Sequence, residues 1–126
     1  MALETLKGVT EIGGFGVLAE RPMHPEGQVD WHLFDEQRKE KPIYIDHDVN
    51  MISFRIQDGP IKEHGVNGCQ VDTLIHAALI IIEGLNEKFP SSDNINTIAH
   101  LYHALASLEN RKKDREARGV EGKSEL

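Results

Sequence analysis

The chain has 126 residues, 39% of them hydrophobic, with 14 basic against 21 acidic side chains and a formal charge of -7. That length holds one domain with a modest core, burying roughly two thirds of the unfolded chain's surface and leaving self-association an economical way to complete it, while the negative charge argues against DNA or RNA polymers and anionic membranes as partners. A single cysteine, Cys69, excludes an internal disulfide, the N-terminus lacks a signal-peptide pattern, and no apolar run approaches the roughly 20 residues of a membrane span, so the expected location is the cytoplasm.

The first third is punctuated by glycine and proline, with an apolar run at 12–17 (IGGFGV) and a loop at 21–27 (RPMHPEG), a pattern of short strands and turns. Gly13, Gly14 and Gly16 complete neither the dinucleotide nor the lysine-terminated phosphate-loop pattern. Residues 35–41 (DEQRKEK) have no apolar face and read as a solvated loop or one exposed helical turn. Ile43, Tyr44 and Ile45 open a strand, and Asp46, His47 and Asp48 suit a turn closed by side-chain hydrogen bonds. Residues 51–57 then alternate, with Ile52, Phe54 and Ile56 on one face and Ser53, Arg55 and Gln57 on the other, as in a half-buried strand. Residues 58–68 (DGPIKEHGVNG) are dense in turn formers and read as an irregular loop leading out of the sheet.

Between Gln70 and Lys88, Val71, Leu74, Ile75, Ala78, Leu79, Ile82 and Leu85 recur at intervals of three and four, the spacing of a helix. Ile80 and Ile81 widen the stripe, so this helix is expected to be buried on several sides, under the sheet or in a subunit interface. Pro90 ends it, and Ser91, Ser92 and Asp93 offer caps for a second helix bearing Ile95, Ile98, Leu101, Tyr102, Leu105 and Leu108. No breaker follows until Gly119, so the last turns are expected to be helical yet solvated, with a fraying tail at 121–126. The expected fold class is α+β, a small N-terminal antiparallel sheet followed by a C-terminal antiparallel helical hairpin, assembled as a homo-oligomer. It is one domain: a strand-rich part (1–57), a glycine-rich turn (58–69), the hairpin (70–118) and a tail (119–126).

Chemistry concentrates at 111–118 (RKKDREAR), where Arg111, Lys112, Lys113, Arg115 and Arg118 cluster in an otherwise acidic chain. On a helix, Arg111, Arg115 and Arg118 share one face, and such guanidinium groups can grip phosphates bidentately. The competing explanation is that cations near a helix C-terminus merely complement its dipole, at about 0.3–1 kcal/mol each. Because Arg115 lies beyond the apolar stripe, Arg115→Ala is expected to cost ligand binding and little stability. His100 and His103 share a helix spacing without a recognised third ligand, so no metal site is expected. Cys69 has no activating partner, and the aromatic residues fit core packing as readily as base stacking.

At 59–70 (GPIKEHGVNGCQ), 89–94 (FPSSDN) and 111–122 (RKKDREARGVEG) the chain resembles the phage Thoeris anti-defence and anti-CBASS sponge family, with the Thoeris branch the better fit. The resemblance covers roughly residues 50–122, and the first 50 resemble the strand-rich extension of the Thoeris branch. It implies capture, without cleavage and without a cofactor, of glycocyclic ADP-ribose signals made by TIR proteins, and in some members of cyclic trinucleotides. It also implies pockets between subunits of a homodimer or a trimer of dimers, in the cytoplasm of the infected host. By that resemblance Arg111 and Arg115 grip phosphates, Phe89 and Asn94 belong to the loop before the second helix, and Asn67 to the GVNG turn. Arg55, on the polar face of its strand, is added from the burial pattern. Family loops read FPCREN where this chain reads FPSSDN, so Ser92 stands at an arginine position. Two other functions compete: a metal-dependent phosphodiesterase built on Asp46, His47 and Asp48, and a protein-binding adaptor using the C-terminal helix.

Overall fold

The computed structural model describes residues 6–123, so the last three residues of the tail expected to fray lie outside the described residues. In chain order the elements are β1 (Glu11–Ile12), β2 (Phe15–Leu18), α1 (Trp31–Glu40), β3 (Ile43–Asp46), β4 (Met51–Phe54), α2 (Ile61–His64), α3 (Val71–Lys88) and α4 (Ser92–Ala117).

The glycines at the start of the sheet make a turn, not a phosphate loop. Glu11 pairs with Gly16 and Ile12 with Phe15 across a two-residue connection whose members, Gly13 and Gly14, have φ of 59° and 85°. A tight hairpin matching the strand twist needs positive φ at both central positions, which glycine adopts without steric cost. Gly13 also seats the turn on α3, for a Cβ there would lie 3.2 Å from Thr73 Oγ1.

The sheet, in the order β1-β2-β3-β4, is mixed, which corrects the antiparallel expectation: β2 runs parallel to β3, with Val17 opposite Ile43. Parallel neighbours need a crossover, and α1 supplies it. This ten-residue helix occupies the segment expected to be a loop or a single turn. It buries no residue fully, so hydrophobic periodicity gave little sign of it. Three other contacts hold it. Asp30 Oδ1 caps its start by accepting from Leu33 N at 3.0 Å. Phe34 meets Trp31 and Tyr44 edge to face at 5.7 Å each. The Arg21 guanidinium lies over Trp31, Phe34 and Tyr44, at 5.2–5.8 Å from the ring centres.

β3 and β4 form the expected antiparallel pair, Ile45 opposite Ile52, joined by a turn in which Asp46 Oδ1 accepts from the backbone N–H of Asp48 and Val49. The core gathers Leu6, Ile12, Val17, Ile43, Ile45 and Ala77, with Phe15, Ile52, Phe54, Ile80 and Ile81 packed against it. Ile43 and Ile45 are fully buried, each worth about 1.5–3 kcal/mol of transfer free energy. In β4, Ile52 and Phe54 pack against the core as expected, but Ser53 between them is equally half-buried under Arg38, and Ile56 is 55% exposed beyond the strand's end.

The helical hairpin lies where the spacing predicted. Ser91 Oγ accepts from Asn94 N to cap α4, and Gly119, at φ 72°, follows its last turn. Ile98, Leu101, Leu105 and Leu108 are half-buried, whereas Ile95 and Tyr102 are exposed. No helix among the described residues is long and apolar enough to cross a membrane.

Candidate functional site

Residues 56–70 fold into a polar knot. Gln57 Nε2 donates to the carbonyls of Gly59 and Gly65, while its Oε1 accepts from Asn67 N and Gly68 N. Asn67 closes the other side, donating to Asp58 O and accepting from Asp58 N, both at 2.8 Å. A side chain on Gly68 would overlap the backbone of Ile56 and Gln57, so that position admits glycine alone. One short turn, α2, is carried within the loop, and its Lys62 N donates to Gly122 O at 3.0 Å. The segment after α4 is thereby bound to the loop before α3.

Arg115 completes that junction. Contrary to the solvated placement expected for it, Arg115 is buried, 7% exposed. Its Nη2 donates to Val120 O and Lys123 O at 3.0 Å each, and its Nε lies 3.3 Å from Glu121 Oε2. The chain turns back after Gly119 and brings these acceptors onto the helix face that Arg115 occupies. Arg118 pairs with Asp114 one turn below. The three arginines therefore do not form one open fork. Arg111 is exposed and makes no hydrogen bond or ion pair among the described residues.

Two clefts meet at Arg111. One, of about 390 Å³, opens between the start of α3 and the end of α4, over Val71, His76, Leu105 and Leu108. The other, of about 460 Å³, lies between the 56–61 strand and turn and the returning chain, with Arg115 and Lys123 on its wall. Gln70, Val71, Arg111 and Glu121 line both. Their volumes fall within the range of about 300–1,000 Å³ typical of small-molecule sites. Cys69 lines the second cleft, but burial raises its thiol pKa, and Sγ donates to Arg55 O.

The other expected site residues lie elsewhere in the protomer. Asn67 is consumed by the knot. Asn94 Nδ2 donates to Phe89 O at the hairpin loop, where Phe89 is 52% exposed; along α4 that loop is roughly 25 Å from Arg111, at about 1.5 Å per residue. Arg55 is exposed beside Arg38, lining a separate cleft of about 220 Å³ with Phe34 and Phe54. Burial, and secondarily the charge of Arg55, lower the pKa of Arg38, whose guanidinium donates to Pro42 O and Ser53 Oγ. Asp46 is committed to its turn, and among the described residues no group of three or more His, Cys, Asp or Glu could hold a metal ion.

Sequence reasoning did not single out Glu121 and Lys123, which line the clefts. The GVEG motif contained the first, but its side chain reaches the clefts only because the chain reverses after Gly119. Val71 was read into the helical stripe and Gln70 into the 59–70 motif, although Val71 is 58% exposed where it lines the clefts.

No protein-family model matches the chain. It is 36% identical over 76 residues to Thoeris anti-defense 1 of Bacillus phage SBSphiJ7, a match that takes in 60% of this chain and 54% of that protein. The chain thus spans about half the length of the curated relative it matches, and the resemblance to the Thoeris anti-defence family carried by its motifs is borne out.

Proposed function

We propose that this relative of the Thoeris anti-defence proteins is itself a phage anti-defence protein, one that binds cyclic nucleotide immune signals and withholds them from their effectors without cleaving them. The signals are glycocyclic ADP-ribose isomers made by TIR proteins, with cyclic trinucleotides of CBASS as a second class, and the place of action is the host cytoplasm. The observation that carries this reading is Arg111, an exposed guanidinium without a partner among the described residues, at the meeting of two nucleotide-sized clefts. In an acidic protein such a group is available to a phosphate.

Capture in place of turnover is supported at the second cleft by its buried thiol, whereas the first also carries His76, Asp72 and Glu109. Binding needs satisfied phosphate and base contacts, whereas cleavage needs a nucleophile or base aimed at the scissile bond. Cys69, the thiol of this site, is kept protonated by burial, and no cofactor is invoked.

The separation of Arg111 from Phe89 and Asn94 supports a homo-oligomeric site. All of them can contact one ligand if a second copy brings its hairpin loop to the clefts of the first, in a homodimer or a trimer of dimers. Exposed Val71, Ile95 and Tyr102 give such a contact apolar surface to bury.

The test is thermal denaturation with glycocyclic ADP-ribose isomers, cyclic dinucleotides and cyclic trinucleotides, followed by chromatography of the ligand released on heating. A ligand at 100 times its Kd adds about 2.7 kcal/mol, so a rise of several degrees with one class, and intact ligand afterwards, is expected. A hydrolysed product would instead establish an enzyme, and no shift with any class would favour the adaptor.

A further inference from the structure

The two clefts at Arg111 differ in charge. The one beside the Gly-Pro turn carries Arg111, Arg115 and Lys123, with Glu121 as its single carboxylate among the described residues. The one between α3 and α4 sets the carboxylates of Asp72, Glu109 and Glu121 against Arg111 and Lys112, with His76 beside them, over an apolar floor. The first suits phosphates; the second suits the part of a ligand that donates hydrogen bonds and packs an uncharged surface.

Glu121 stands where they join. Its Oε2 is buried and, among the described residues, accepts no well-directed hydrogen bond, Arg115 Nε approaching it at 3.3 Å, while 25% of the side chain stays exposed along the clefts. The part of this carboxylate open to the clefts favours a ligand that brings a donor, and disfavours a second anionic group placed against it. In any nucleotide the ribose is bonded directly to the phosphate. An acceptor beside the phosphate grip therefore meets sugar hydroxyls before it meets the base.

Resting on the reading of this chain as a cyclic nucleotide binder, we propose that Glu121 is a specificity-determining residue, its carboxylate accepting a hydrogen bond from a ribose hydroxyl of a nucleotide whose phosphate lies against Arg111. Arg115 then acts as a positioning residue, holding Glu121 and the returning chain in place through Val120 O and Lys123 O. A site built to receive a hydroxyl rejects the analogue lacking it, because the acceptor is left buried and unpaired.

The experiment is calorimetric titration of the full chain with glycocyclic ADP-ribose and with analogues each lacking one free ribose hydroxyl. The unaltered protein is expected to bind one analogue at least tenfold more weakly than the parent. In Glu121→Ala the parent should weaken by at least tenfold and the discrimination should vanish; Glu121→Gln, which keeps an acceptor oxygen, should retain part of both. A purely structural role for Glu121 would weaken parent and analogues alike and leave their ratio unchanged, which overturns the proposal. Equal binding of parent and every analogue by the unaltered protein overturns it without recourse to a variant. If the unaltered protein binds neither a glycocyclic ADP-ribose isomer nor a cyclic trinucleotide, the nucleotide reading fails, and Glu121 with it; if only a trinucleotide binds, the same analogue series is built on that ligand and judged by the same ratios.

Discussion

Arg111 and Arg115 are one helical turn apart, and their surroundings give them opposite tasks. Arg111→Ala should leave the melting temperature of the free protein nearly unchanged while abolishing nucleotide binding, since its side chain makes no internal bond among the described residues. Arg115→Ala should instead cost about 1–3 kcal/mol of stability, measured by urea denaturation, because it removes the guanidinium donor from Lys123 O and from Val120 O, which keeps only Lys123 N, and leaves the buried Oε2 of Glu121 without its counter-ion. An unchanged melting temperature would return Arg115 to the solvated face that its spacing suggests. Cys69 offers a third check. Its pKa is raised by burial, so the folded state holds the thiol proton more tightly than the unfolded chain. Stability should therefore be unaffected by this group below about pH 8.5 and should fall as pH rises above it. Alkylation by iodoacetamide at neutral pH should be slow until denaturant is added. Rapid alkylation of the folded protein would contradict the burial.

At the scale of elements, the two parts of the chain record themselves in sequence differently. α3 and α4 appear as apolar residues every three or four positions, because each buries a stripe against a neighbour. α1 does not: its attachment is Arg21 over Trp31, Phe34 and Tyr44, contacts made between residues far apart in the chain that leave no local period. Missing α1 also meant missing the crossover, and with it the parallel pairing of β2 and β3. Arg21→Ala should loosen this attachment by about 0.5–2 kcal/mol, seen as faster hydrogen exchange across residues 31–40 with the α3–α4 amides unaffected; equal exchange in both variants would show that α1 is held otherwise. The β1–β2 turn is the more stringent joint. Gly13→Ala demands a left-handed Ala, costing about 1–3 kcal/mol, and presses its Cβ on Thr73 of α3. A clear drop in the denaturation midpoint is expected.

For the whole molecule, the apolar residues left on the hairpin surface bear on assembly. Val71, Ile95, Tyr102 and Phe89 are each more than half exposed, and their burial between copies predicts a melting temperature that rises with protein concentration, together with a sedimentation coefficient above that of a 14.2 kDa monomer. Ile95→Glu should shift the sedimentation toward the monomer. A monomer at every concentration would remove the intersubunit pocket and leave the clefts at Arg111 to act alone. Much of this was present in the linear order of residues: the α+β class, the hairpin and its caps at Ser91 and Gly119, the strands at Ile43 and Met51, and Arg111 as the cation to follow. Those features are local, set by side-chain spacing, by glycine's tolerance of positive φ and by the oxygen atoms of capping residues. The tertiary structure alone decided the rest. It made the sheet mixed, committed Asn67 and Gln57 to a loop, and set Arg55 in a different cleft. It also folded the chain after Gly119 back onto α4, so that Arg115 is buried against the returning carbonyls and Glu121 lines both clefts. Each of these depends on which distant backbone carbonyl or aromatic ring a side chain reaches, and spacing along one helix carries no record of that.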